Sequence, residues 1–151
     1  MIGLLQRVSR ATVEVEGRQA AAIGRGLLVF VGVERSDGES QANRLLERVL
    51  AYRVFPDTAS RMNRDLCDIG GGLLLVPQFT LAADTHKGNR PSFTPAAAPE
   101  TGRCLFAYLC EQAVKTYPAT RCGLFGADMQ VALVNDGPVT FWLRVSPETQ
   151  T

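Results

Sequence analysis

Leu27-Leu28-Val29-Phe30-Val31-Gly32-Val33 is an unbroken apolar run that follows the turn Gly24-Arg25-Gly26. Apolar residues with no polar alternation fit a strand buried on both faces. A second apolar strand, Leu73 to Phe79, follows Gly70-Gly71-Gly72, which reads as a flexible turn. Upstream, Ile2 to Val15 is rich in aliphatic and β-branched residues and reads as a strand that Ser9-Arg10-Ala11 could interrupt. Downstream, Met129 to Val134 and Val139 to Val145 read as two more strands, separated by Asn135-Asp136-Gly137-Pro138.

Two helices fit between these strands. Ser36-Asp37-Gly38-Glu39 has the S-x-x-E form of a capping box. Leu45, Leu46, Val49 and Leu50 follow at helical spacing, which predicts an amphipathic helix from about Glu39 to Tyr52. Pro99 suits the first turn of a second helix, whose apolar stripe is Leu105, Phe106, Leu109, Ala113, Val114 and Tyr117. Thr80 to Pro99 is polar and irregular, and long loops inside compact domains usually carry function. The last six residues are expected to fray. The expected fold class is α+β: a mostly antiparallel, barrel-like sheet with two amphipathic helices packed on it, forming one domain over residues 1–151. The strand order does not follow from the sequence.

Composition narrows the function classes. No apolar run reaches the roughly 18 residues needed to span a bilayer. The first residues lack the basic stretch and long apolar core of a signal peptide, so a cytoplasmic location and no membrane partner are expected. The net charge of +1 is small for a protein that lives on long nucleic acid, so no DNA partner is expected and any RNA contact must be local. Cys67, Cys104, Cys110 and Cys122 form no C-x-x-C pair and are expected as buried or half-buried free thiols. With His86 the one histidine, neither a metal site nor a cofactor is expected.

The usual catalytic signatures, G-x-S-x-G, a Walker loop and G-x-G-x-x-G, are missing. Asp84 and His86 could form a dyad, or His86 could simply be a loop residue. Two stretches are unusual. In Val76-Pro77-Gln78-Phe79-Thr80, proline removes a backbone donor at a strand end. Either the strand simply ends there, or the N–H groups of Gln78, Phe79 and Thr80 are freed to face a ligand. In Gly137-Pro138 the open readings are a hairpin turn and a cis peptide, a form found in about 5–6% of X-Pro bonds.

Several ordered blocks resemble the D-aminoacyl-tRNA deacylases. They include Arg7-Val8, Gly26-Leu27-Leu28-Val29, Tyr52-Arg53-Val54-Phe55, Pro77-Gln78-Phe79-Thr80-Leu81-Ala82-Ala83-Asp84-Thr85, Arg90-Pro91-Ser92-Phe93, Ala127-Asp128-Met129-Gln130-Val131 and Asn135-Asp136-Gly137-Pro138-Val139-Thr140. The resemblance runs from Met1 to Val145. It implies an ester hydrolase acting on the 3′ end of aminoacyl-tRNA, releasing D-amino acids and glycine and sparing L-residues, in a homodimer with its site at the subunit interface. It implies that Gln78, Phe79 and Thr80 line the pocket for the terminal adenosine and the ester. It also implies that Gly137 and Pro138 form a cis pair inserted into the partner's pocket, with Met129 packing beside the pair and Arg7 holding it. Catalysis is then assisted by the 2′-hydroxyl of the terminal ribose. The family usually carries a serine where this chain has Pro77, which argues against a serine nucleophile there. A non-catalytic RNA-binding module using Lys87 and Arg90, and a general small-molecule esterase, are the alternatives.

Overall fold

The computed structural model describes residues 1–147, so most of the expected terminal fraying falls outside the described residues. The strands are β1 (Ile2–Val15), β2 (Arg18–Ile23), β3 (Gly26–Gly32), β4 (Phe55–Pro56), β5 (Met62–Arg64), β6 (Gly72–Pro77), β7 (Thr120–Cys122) and β8 (Met129–Arg144). The helices are α1 (Glu39–Ala51), α2 (Leu66–Ile69) and α3 (Pro99–Thr116). Together they make an α+β architecture with a nearly closed, barrel-like sheet.

β1 is the spine. Along one edge it pairs antiparallel with β3 over Ile2 to Val8 and then with β2 over Ala11 to Val15. Along the other edge it pairs antiparallel with β8 over nearly its whole length. The sheet then continues from β3 to β6 and from β6 to β7, and both of these pairings are parallel. It is therefore more mixed than the mostly antiparallel expectation. The parallel pairings need crossover connections, and α1 and α3 supply them. That arrangement explains the two apolar runs. Leu27, Val29, Val31, Leu73 and Leu75 face the core under α1 and α3, while Leu28, Leu74 and Val76 face a second core with Val8 and Val13.

α1 buries Ala42, Leu45, Leu46, Val49 and Leu50, as its periodicity predicts. Leu45 is fully packed, and truncating such a residue to alanine costs about 2–5 kcal/mol. The predicted Ser36 cap is not formed. The Asp37 carboxylate is taken by the Glu34 N–H at 2.7 Å and by the Met1 amino group at 2.6 Å. The helix instead starts at the residue after Gly38, whose N–H donates to Gln41 Oε1 at 2.9 Å. Pro99 does open α3, which buries Leu105, Phe106, Leu109 and Ala113.

Other departures are local. α2, β2, β4, β5 and β7 have no counterpart in the sequence reading. α2 is one turn whose Asp65 side chain accepts from the Asp68 N–H at 2.8 Å, and Gly70 ends it in the left-handed conformation. The glycine triplet is thus a helix C-cap leading into β6 rather than a flexible turn. β1 runs unbroken through Ser9-Arg10-Ala11, although its ladder with β8 shifts register there. All four cysteines are free; Cys110 and Cys122 are half-buried, but Cys67 and Cys104 are exposed, unlike the expectation. No helix among the described residues is long and apolar enough to cross a membrane.

Candidate active site

β6 ends at Pro77, opposite Val31 of β3. The next amide, Gln78 N–H, still donates to the Val31 carbonyl at 2.7 Å. Gln78 is therefore not a free backbone donor, which narrows the sequence expectation. Phe79 to Ala82 then form a single 3-10 turn. The first N–H groups of any helix lack intrahelical acceptors. Those of Phe79 and Thr80 meet no acceptor among the described residues, so two adjacent amides remain available at the strand end. The Gln78 side chain serves a different end: its Nε2 donates to Thr80 Oγ1 at 2.5 Å. That amide is the only side-chain partner of the threonine hydroxyl among the described residues, and Thr80 is exposed.

A cavity of about 470 Å³ opens beside this turn. One wall is Val31 of β3 with Pro77, Gln78 and Phe79; another is Gly102 and Phe106 of α3; Phe125 and Met129 close the far side. Gly123 permits that closure. A Cβ there would lie 3.0 Å from the Met129 sulfur and 3.4 Å from Pro77 Cδ, so the bare backbone gives Met129 room to lie against the strand end. The lining is mostly apolar, and among the described residues it contains no ionisable side chain. The sequence reading missed the walls from α3 and Phe125. Phe106 looked like ordinary core at helical spacing, and Phe125 lay in a stretch with no periodic signal.

The structure brings Gln78, Phe79 and Met129 to this cavity and sets Thr80 beside it. Arg7, Gly137 and Pro138 do not line it. Val131, the cavity-lining residue of β8 nearest the tip, is six residues from Gly137, at most about 20 Å at roughly 3.3 Å per residue. The tip of β8 does not line the cavity of its own chain.

That tip is not a hairpin. β8 runs antiparallel to β1 both before and after it, with Val8 opposite Asn135 and Gln6 opposite Thr140. Residues 136–139 bulge out of the ladder, which shifts register again between Val8 and Arg10, and the Gly137–Pro138 bond within them is cis. Side chains hold the neck of the bulge. Asn135 Nδ2 donates to Gln6 Oε1 at 3.1 Å and to Thr140 Oγ1 at 2.9 Å, and Asn135 Oδ1 accepts from the Val139 N–H at 2.7 Å. Arg7 Nε donates to the Asp136 carbonyl at 2.9 Å, and its Nη1 to the Val54 carbonyl at 2.7 Å. Gly137 has φ +141°, a conformation L side chains rarely adopt, and a Cβ there would lie 2.7 Å from a Val139 methyl.

Asp84 and His86 form no catalytic dyad. Asp84 Oδ1 accepts the backbone N–H of His86 at 2.9 Å, a turn interaction, and the histidine is exposed.

Comparison with known proteins places this geometry. A family model described as D-Tyr-tRNA(Tyr) deacylase matches residues 4–144. A D-aminoacyl-tRNA deacylase of Alkalilimnicola ehrlichii is 63% identical over 147 residues, covering 97% of this chain and 98% of that protein. One from Thioalkalivibrio sulfidiphilus is 62% identical, covering 97% and 99%. A solved structure described as a c-Myc DNA unwinding element binding protein superposes with a TM-score of 0.92 at 37% identity, over 97% of this chain and 100% of its own. A probable eukaryotic D-amino acid tRNA deacylase shares the fold, with a TM-score of 0.81 at 16% identity over 94% of this chain and 97% of its own. With the family model matched across nearly the whole chain and the apolar cavity at the end of β6 in place, the chain belongs to the D-Tyr-tRNA(Tyr) deacylase family.

Proposed function

We propose that this protein hydrolyses the ester joining a D-amino acid or glycine to the 3′ end of tRNA, and that it does so with backbone amides and the substrate's own 2′-hydroxyl. The observation that carries this reading is the pair of unpartnered amides, Phe79 and Thr80, beside an apolar cavity without an ionisable lining residue. The aminoacyl ester is already activated. What its hydrolysis needs is a placed water and a site for the oxyanion. Two amides pointed at the developing charge suit that need, and loss of one such donor costs roughly 10²–10³ in rate. No side-chain base lies in the cavity to activate water or Thr80, so the ribose 2′-hydroxyl next to the ester takes that part. Thr80, tied to Gln78, positions the substrate.

Selection against L-residues rests on the bulge of β8. In this reading two chains pair so that Gly137 and Pro138 of each enter the other's cavity, beside Met129. Bare carbonyls at the tip hold the substrate's amino group. A D side chain points away from them, glycine has none, and an L side chain runs into the backbone. Such a filter ignores side-chain identity, so it accepts many D-amino acids. The working unit is a homodimer of one-domain subunits, needs no metal or cofactor, and acts on tRNA in the cytoplasm.

One panel of substrates tests the reading. Amino acid release is measured from D-Tyr-tRNA, Gly-tRNA, L-Tyr-tRNA and a free D-tyrosine ester. Release from the first two alone is expected. Equal cleavage of the free ester points to a general esterase, and binding of tRNA without any release points to an RNA-binding module.

A further inference from the structure

Phe79 and Phe93 are 58% and 44% exposed, yet their rings pack together with centroids 5.2 Å apart and planes tilted by 49°. Two large aromatic side chains held in contact and left open to water are costly unless something covers them. The backbone under Phe93 is fixed. Asp84 and Ser92 exchange hydrogen bonds of 2.7 and 2.9 Å across the neck of the loop, and the Phe93 carbonyl accepts from the Ala96 N–H at 3.0 Å. Pro95 and Ala97 are tied in turn to Arg35 and Val33. Phe79 also lines the cavity, so the ring pair continues outward from it. Beyond the neck the loop carries Lys87 and Arg90 and no carboxylate, while Asp84 is turned onto the His86 N–H.

Exposed aromatic faces and a loop that also carries Lys87 and Arg90 match a single-stranded nucleic acid, where bases alternate with phosphates. We propose that Phe79 and Phe93 form a ledge on which the nucleobase preceding the esterified nucleotide stacks, with Lys87 and Arg90 taking the phosphates on its 5′ side. The inference rests on the deacylase reading and extends it from the ester to the next nucleotide. Every base presents a π-face, so the ledge accepts any tRNA, and a protein with a net charge of only +1 gains its RNA contact in one place. A second copy of this chain covering the same rings is the competing occupant.

The test uses binding, so that it stands apart from turnover. Affinities of an uncharged four-nucleotide RNA ending in adenosine, and of adenosine alone, are measured for wild type, Phe93→Ala, Phe93→Leu and Phe93→Trp. Phe93→Ala and Phe93→Leu should weaken the tetranucleotide about 5- to 150-fold, the range that base–aromatic stacking spans. Adenosine binding should change less than about twofold, and Phe93→Trp should restore the tetranucleotide. An equal loss for both ligands, no loss for the tetranucleotide, or a change in sedimentation of Phe93→Ala would each overturn the ledge. Absence of amino acid release from D-Tyr-tRNA by the wild type would sink the hydrolytic reading instead and leave the binding result to decide the ledge.

Discussion

Arg7 Nε donates to the carbonyl oxygen of Asp136 at 2.9 Å, and this bond ties the bulge of β8 to the strand it faces. The guanidinium is mostly buried, its side chain 12% exposed, and a second donor reaches the Val54 carbonyl. One residue thus fixes the bulge to β1 and to the segment before β4. Arg7→Ala leaves two carbonyls without their donors at a cost of about 1–3 kcal/mol. If the bulge is the chiral filter, D-Tyr-tRNA turnover should fall about 10- to 100-fold in Arg7→Ala, by loss of positioning. Arg7→Lys keeps the charge but not the fork, and should recover only part of this. An Arg7→Ala enzyme with wild-type kcat/KM on D-Tyr-tRNA would remove the bulge from the account.

Gly137 occupies a backbone region that L side chains avoid, with a Val139 methyl 2.7 Å from where a Cβ would be. Gly137→Ala should therefore shift the tip and cut D-Tyr-tRNA release by about 10-fold or more, with no gain of L-Tyr-tRNA cleavage. The ratio of the two rates in the variant checks this. Efficient L-cleavage by Gly137→Ala would mean that selection does not work by exclusion at this backbone.

The bulge also shows where the sequence could be read and where it could not. The strand content on both sides of Asn135-Asp136-Gly137-Pro138 was legible from the apolar pattern. Whether the chain reverses there was not. Turn residues signal a break in a ladder, but a hairpin and a bulge differ only in which strand the second half pairs with, and that pairing is non-local. The same limit hid the parallel pairing of β3 with β6. A run such as Leu27 to Val33 tells that both faces are covered, while the direction of its neighbour depends on the crossover through α1. At Gln78, Phe79 and Thr80 the residues alone left a plain strand end and freed amides both open. The site reading came from the family resemblance, and the Gln78 N–H in fact stays on the Val31 carbonyl. Phe106 and Phe125 were not legible as part of a site, since apolar cavity walls look like core.

Thr80 has the Gln78 amide on its hydroxyl and no base bonded to it among the described residues. Thr80→Ala should slow release about 10-fold, far short of the loss on the order of 10⁶ that follows removal of a hydrolase nucleophile. Mass spectrometry of enzyme quenched during turnover should find no aminoacyl adduct on Thr80, and finding one would reverse the assignment.

Glu34 is a structural charge. Burial pushes its carboxyl up, but the hydrogen bond from Arg144 and the Met1 ammonium outweigh this and hold it below its ordinary value of 4.5. A carboxyl with a depressed folded-state pKa contributes stability above its unfolded pKa and loses it as pH falls through the folded value. Glu34→Gln should cost about 1–3 kcal/mol at neutral pH. The gap to wild type should close as the pH drops below the ordinary glutamate range. Urea midpoints across that range check it, and a gap independent of pH would show that Glu34 acts through shape alone.

The central claim is that the substrate's own ribose supplies the group that the cavity lacks. It is tested by the rate of amino acid release from D-Tyr-tRNA esterified at the 3′-hydroxyl of a terminal 2′-deoxyadenosine, set against the same tRNA ending in adenosine. The account predicts a fall in kcat of about 100-fold or more, roughly 2.7 kcal/mol of transition-state stabilisation, with KM little changed. Equal rates on the two tRNAs would contradict it, since the water would then be activated by the protein.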